Sequence, residues 1–132
     1  MERTTTKYFA GVITTAQASF EEVEYVTDIT PKRAILRIVA KYGLYLVLIT
    51  ELLSDDVRKY RYYVLRENWV EAGFDNSPDA RAIRLKYGRI GEQHAREYVP
   101  HLHLENKSQL ILTEEMTITA FVNWLKANIQ PT

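Results

Sequence analysis

Leu44-Tyr45-Leu46-Val47-Leu48-Ile49-Thr50-Glu51 decides how the rest of the chain is read. The seven residues before Glu51 hold one polar member. The run is far shorter than the roughly 20 residues of a membrane span. Apolar on both sides of the pleat, it belongs at the centre of a sheet with both faces covered. Its flanks alternate as half-buried strands do. Upstream, Ala34, Leu36, Ile38 and Ala40 oppose Arg33, Arg37 and Lys41. Before them, Val23, Tyr25, Thr27 and Ile29 oppose Glu22, Glu24 and Asp28. Thr30-Pro31-Lys32 and Tyr42-Gly43 supply turns. Downstream, Ser54-Asp55-Asp56 breaks the pattern. Tyr60, Tyr62 and Val64 then alternate with Arg61 and Tyr63, and Glu67-Asn68 turns the chain into a returning strand from Trp69 to Phe74. Connections this short cannot hold parallel crossovers, so the strands form an antiparallel meander.

Further out, residues 4–18 are ambiguous: threonines favour strand, whereas Ala and Gln favour helix. A helix over about 6–18 is the expectation. Asp75-Asn76-Ser77-Pro78-Asp79 is dense in turn and N-cap types, and a helix from Asp79 to about Tyr87 ends at Gly88. Gly88 to Tyr98 is basic and mixed in pattern. Val99 to Glu105 reads as a strand, Asn106-Lys107-Ser108 as a turn, and Gln109 to Leu112 as a short strand. Ile118, Phe121, Val122, Leu125 and Ile129 follow helical spacing behind a Thr117 N-cap. The fold class is α+β: one domain over residues 1–132, an antiparallel meander sheet of about five to seven strands, and a C-terminal helix packed on one face.

Composition narrows the function. The 132 residues are 46% apolar, with nine Tyr and two Trp, which excludes a disordered chain. Seventeen basic residues balance seventeen acidic ones, so a generally basic nucleic-acid coat is excluded while a local groove is not. There is no cysteine, hence no disulfide, thiol catalysis or cysteine-ligated zinc. With no membrane-length apolar run and no secretory pattern after Met1, a cytoplasmic location and no membrane association are expected.

The chemistry-bearing candidates are few. His101 and His103, two of only three histidines, lie two apart, so a strand projects both to one face. Such a pair suits proton transfer or metal, or merely decorates an exposed strand. Asp75 and Asn76 sit at a strand end, where they either cap the next helix or orient a histidine and a substrate. Glu51 ends an apolar strand: either it has reached solvent, or it is a partly buried acid of raised pKa suited to a general base. Arg81, Arg84, Lys86, Arg89, His94 and Arg96 concentrate positive charge beside the histidines. They form a solvated face or a phosphate cradle. Tyr60, Tyr62 and Tyr63 pack across strands or stack on single-stranded bases. Metal is a weaker reading, with Asp75 or His94 completing a site, because no Cys-rich or His-Glu-x-x-His motif is present.

The order of these pieces resembles the TumE-like toxins of prokaryotic toxin–antitoxin operons. Leu46-Val47-Leu48-Ile49-Thr50-Glu51, Lys59-Tyr60-Arg61-Tyr62-Tyr63, Phe74-Asp75-Asn76-Ser77-Pro78 and His101-Leu102-His103 stand in the family's order, over roughly residues 20–125. Two departures stand out. Asp79 replaces a histidine after the Asp-Asn-x-Pro motif, and the segment from Ala80 to Val99 is long.

The resemblance implies a toxin and suggests RNA cleavage. The expected function is therefore a metal-independent ribonuclease that needs no cofactor. His101 and His103 form the acid–base pair, Asp75 orients one imidazole, and Glu51 can substitute as base. Asn76, Arg81, Arg84, Lys86, Tyr62 and His94 contact the substrate. Expected partners are RNA, a cognate antitoxin protein and, in a homodimer, a second copy. A non-enzymatic nucleotide- or protein-binding module and a metal-dependent hydrolase are the competing expectations. In the binding-module reading, the basic segment and His101 do not converge on one concave site.

Overall fold

A computed structural model describes residues 2–88 and 94–132. Seven strands form one sheet in the order β1-β2-β3-β4-β5-β6-β7, every neighbouring pair antiparallel. They are β1 (Glu21–Ile29), β2 (Arg33–Tyr42), β3 (Tyr45–Ser54), β4 (Val57–Arg66), β5 (Trp69–Asp75), β6 (His101–Leu104) and β7 (Gln109–Leu112). Helix α1 (Glu2–Ser19) precedes them, α2 (Ala80–Tyr87) lies between β5 and β6, and a C-terminal helix, here α3 (Ile118–Asn128), follows. The expected α+β meander and its C-terminal helix are present.

Helices α1 and α3 cover one face of the sheet. Phe9, Val12 and Ala16 of α1 meet Leu36, Ile38, Val47, Ile49, Tyr60, Tyr62, Val64 and Phe74 of the strands and Phe121 and Leu125 of α3 in one core. Helix α1 begins at Glu2, earlier than the expected start near residue 6. Its buried stripe of Thr5, Phe9, Val12 and Ala16 repeats at helical spacing, and burial of that stripe overrides the strand preference of the threonines. Thr117 caps α3 by accepting the Ala120 N–H at 3.1 Å. On the opposite face α2 covers only the β6–β7 end, where Ala82, Ile83 and Val99 form a second, smaller apolar cluster. Asp79 caps α2 by accepting the Arg81 N–H, and Gly88 ends it in the left-handed region at φ 79°.

Two expectations about burial change. Strand β3 is central, but only its helical face is closed: Val47, Ile49 and Glu51 are buried, whereas Leu46 is exposed and Leu48 and Thr50 are half-buried. Strand β1 is exposed along most of its length, with Tyr25, Val26 and Ile29 in solvent. The helices span fewer strands than the sheet provides, so β1 contributes only Val23 to the margin of the core.

The turns explain the register. Asp55 and Asp56 both have positive φ, 47° and 63°, as a two-residue hairpin turn of the primed type requires. At Gly43, φ is 59°, and a Cβ there would lie 1.7 Å from the Pro131 carbonyl oxygen, so only glycine fits where the chain's end crosses the β2–β3 turn. Among the described residues, no helix is long and apolar enough to cross a membrane.

Candidate functional site

Asp75 and His101 face each other across β5 and β6, and His103 lies opposite Gly73 two residues along. Arg61 of β4 is the other cross-strand neighbour of Asp75, and Tyr63 that of Gly73. The pleat therefore directs Arg61, Tyr63, Asp75, His101 and His103 to the face away from α1 and α3. The ladder between β4 and β5 shifts by one residue at Val64/Leu65: Leu65 pairs with Val70, but Val64 with Ala72. This β-bulge sets the parity of the strand end. Unshifted pairing would put Asp75 opposite Tyr60, on the helical face.

Asp75, His101 and His103 are 6%, 1% and 4% exposed. Each offers one ligand atom, and these atoms all lie within 4.8 Å of one another, the one such group of three or more among the described residues. The Asp75 carboxylate accepts the Ser77 N–H at 2.7 Å and meets the Arg61 guanidinium at 3.4 Å. Nδ1 of His101 lies 2.7 Å from the Val99 carbonyl. A carbonyl only accepts, so Nδ1 carries the proton and Nε2 is left for other work. The two imidazoles meet edge to face, with centroids 4.7 Å apart. Burial, with the positive fields of His101 and Lys107, depresses the pKa of His103 to about 4, so it is neutral at pH 7. Nδ1 of His103 is enclosed without a hydrogen bond among the described residues. The Tyr63 hydroxyl is likewise enclosed without a hydrogen bond of standard geometry, although Arg61 interacts with it electrostatically.

Arg61 and Lys107 both stack against the Tyr63 ring, their charges 5.0 and 5.1 Å from its centroid. Gly73 makes room for that ring: a Cβ there would lie 2.9 Å from it. These three side chains border the histidines. Arg61 and Lys107 escaped the sequence reading, and Tyr63 entered it only as one of three tyrosines that pack across strands or stack on bases. Arg61 and Tyr63 looked like one face of an alternating strand, and Lys107 like a turn residue. The register opposing Arg61 to Asp75 is the signal that would have found the first two.

Glu51 belongs elsewhere. It points to the helical face, fully buried, and its carboxylate is saturated. It accepts Arg58 Nε at 3.0 Å, an Arg58 terminal nitrogen at 3.3 Å, the Tyr8 hydroxyl at 2.9 Å and the Tyr62 hydroxyl. The expected general base is thus half of a buried ion pair, separated by the sheet from Asp75. Burial and the Glu51 charge push the Tyr8 hydroxyl up to about 12 and Tyr62 higher still. Tyr62 is not available to stack on a base either. It stacks on Tyr60 at 5.1 Å and packs on Phe121 inside the core.

Other expected contacts also have structural employment. Asn76 accepts the Tyr60 N–H at 3.0 Å and donates to the Arg58 carbonyl at 2.8 Å, extending the β4–β5 ladder by one step with its side chain. Arg81 donates to the Lys107 carbonyl at 2.9 Å and so ties α2 to the β6–β7 turn. Arg81 and Arg84 line a shallow surface cleft with Leu85, Ser108 and Leu110, a lining that does not include the histidines. Lys86 and His94 both contact Tyr87, His94 stacking on it at 3.8 Å. The convergence expected of Arg81, Arg84, Lys86 and His94 on the histidine pair is not observed. Arg89 lies outside the described residues.

The arrangement combines a neutral imidazole, a second imidazole of fixed tautomer, a carboxylate and two nearby cations. It can move protons, bind an anion or ligate a metal. No protein-family model, curated protein or solved structure matches this chain.

Proposed function

We propose that this chain is a toxin of a toxin–antitoxin pair that cleaves RNA at the Asp75–His101–His103 cluster without a resident metal. The observation that carries this reading is the convergence of three buried, chemistry-bearing side chains beside Arg61 and Lys107, in a chain whose motif order resembles the TumE-like toxins. In this chemistry the 2′-hydroxyl of RNA attacks the adjacent phosphorus. His103, neutral at pH 7, takes the hydroxyl proton. His101, in its imidazolium form, gives the Nε2 proton to the departing 5′-oxygen and keeps the Nδ1 proton on the Val99 carbonyl. Arg61 and Lys107 hold the phosphoryl charge as it grows. Asp75 orients the imidazole of His101 from the facing strand. The antitoxin is the expected protein partner.

The test is cleavage of single-stranded RNA by purified protein in EDTA, together with growth arrest on expression. His101→Ala and His103→Ala should each lower cleavage by about 10²–10⁴-fold, the usual worth of a positioned acid or base. Asp75→Asn should cost less. Equal cleavage by wild type and a His101→Ala/His103→Ala variant of matched circular dichroism would remove the catalytic assignment. The separation of Arg81 and Arg84 from the histidine pair is the observation that favours the competing non-enzymatic binding module. RNA binding without cleavage, lost in Arg81 and Arg84 variants and kept in the histidine variants, would establish that reading instead.

A further inference from the structure

We propose that Asp75, His101 and His103 also form a binding site for a divalent transition-metal ion of the zinc and cobalt class, and that occupancy switches the acid–base pair off. Metal occupancy rests on geometry alone; only the switching consequence rests on the ribonuclease reading.

Two imidazoles and a carboxylate are a donor set of borderline softness, suited to zinc, cobalt or nickel rather than to magnesium or calcium. The scaffold is rigid. Two donors sit directly opposite each other on paired strands, and the third is two residues along the same strand. The Val99 carbonyl holds the Nδ1 proton of His101, so Nε2 is the atom that ligates once its proton is displaced, as outer partners of metal-bound histidines arrange. His103 carries an enclosed nitrogen that has no hydrogen-bond partner among the described residues, an unfavourable state that a ligand relieves.

Asp75 keeps one oxygen on the Ser77 N–H, while the other meets Arg61 at a long 3.4 Å. The Arg61 side chain is 49% exposed and can turn to solvent. Donors about 2.0–2.1 Å from a zinc stand roughly 3.3 Å apart. The observed spread of up to 4.8 Å therefore closes with small side-chain rotations. Three protein ligands leave a fourth position for water or substrate phosphate. Ligation takes the lone pair the base needs and expels the proton the acid needs, so a bound ion and proton transfer exclude each other.

The test uses untagged, EDTA-treated wild-type protein. Cobalt(II) should bind with a visible absorption spectrum that zinc abolishes. His103→Gln and the near-isosteric Asp75→Asn, both checked by circular dichroism, should weaken cobalt binding by at least about tenfold. Zinc should inhibit RNA cleavage with a midpoint that tracks its own binding, and EDTA should restore the rate. No cobalt spectrum in folded wild type, or unchanged affinity in both variants, overturns the metal site and leaves the ribonuclease reading intact. Zinc binding with undiminished cleavage overturns the switch. Cleavage that requires zinc overturns both the switch and metal-free catalysis, while the site stands. No cleavage with or without EDTA removes the ribonuclease reading and the switch together, and the cobalt spectrum alone then decides the site.

Discussion

Glu51 on β3 and Asp75 at the end of β5 are both buried carboxylates of one sheet, with β4 between them, yet they live in opposite surroundings. On the helical face, Arg58 grips Glu51 with two nitrogens and spends a further bond on the Met116 carbonyl at 2.8 Å, while Tyr8 and Tyr62 complete the carboxylate's shell. On the other face, Asp75 has one N–H bond and one long ionic contact, and His103 and Tyr63 beside it each enclose a polar atom without a standard hydrogen bond among the described residues. A saturated polar cluster fixes structure, because nothing in it can change partner without loss. An unsaturated one has unused capacity for a proton, an anion or an ion. The contrast is why the site is assigned to the Asp75 side.

The largest expected effect breaks the saturated cluster. Arg58→Met leaves Glu51 buried without its counter-ion and should cost about 3–5 kcal/mol in urea unfolding. Adding Glu51→Leu to that variant should recover part of the loss. If Arg58→Met proves neutral, the distinction between the two faces fails.

A second test sharpens the contrast through pH, because the clusters titrate at opposite ends of the scale. His103 faces His101, Lys107, Asp79 and Asp75, and its folded pKa of about 4 lies below the ordinary 6.5. The unfolded chain then binds the proton more readily. The contribution of neutral His103 to stability is complete above pH 6.5 and is lost as pH falls toward 4. Tyr8 faces Glu51 and Arg58, and its hydroxyl is raised from 10 to about 12. Its contribution is complete below pH 10 and is lost as pH rises toward 12. Unfolding midpoints measured across pH in EDTA should show a flatter acid limb for His103→Gln and a flatter alkaline limb for Tyr8→Phe. Identical curves for wild type and both variants would contradict the assignment.

The smallest effect concerns Tyr63. Removing an enclosed hydroxyl that lacks a standard partner should be neutral or should stabilise by up to about 1 kcal/mol in Tyr63→Phe. The same change at Tyr62, whose hydroxyl is shared by Glu51 and Arg58, should destabilise. Equal responses would erase the difference between the faces.

Much of this was readable in advance, for physical reasons that differ by residue. The α3 stripe of Ile118, Phe121, Val122 and Leu125 is long and periodic, and the Asp79 and Gly88 caps carry their own chemistry, so both helices could be read from the residues alone. His101 and His103 had to share a face once their segment was a strand. The position of Asp75 beside them was not readable, because it depends on a one-residue bulge that leaves no signature in the residue types around Val64 and Glu71. Glu51 misled for the related reason that the end of an apolar strand says nothing about which face its last side chain takes. Tyr62 misled because alternation shows which tyrosines share a face, not which face the helices cover. Arg81 looked like a phosphate ligand, but the bond that occupies it goes to a backbone carbonyl, which no side-chain pattern announces.

The order of the strands also bears on how the chain reaches this state. Every strand pairs with its neighbour in sequence, and every ladder but β5–β6, whose strands are separated by residues 76–100 with α2 among them, closes through a short turn at a small loop-closure cost. The distant contacts come from the ends: α1 packs on α3, more than a hundred residues away, and the Pro131 carbonyl accepts the Leu44 N–H at 2.8 Å. A chain of this kind has low contact order over its middle and high contact order at its seam. The expected folding route zips the meander early and docks the two terminal helices last. Until they dock, Tyr60, Tyr62 and Phe74 lie bare on an open sheet, and the slow seam rather than the fast sheet sets the window for aggregation.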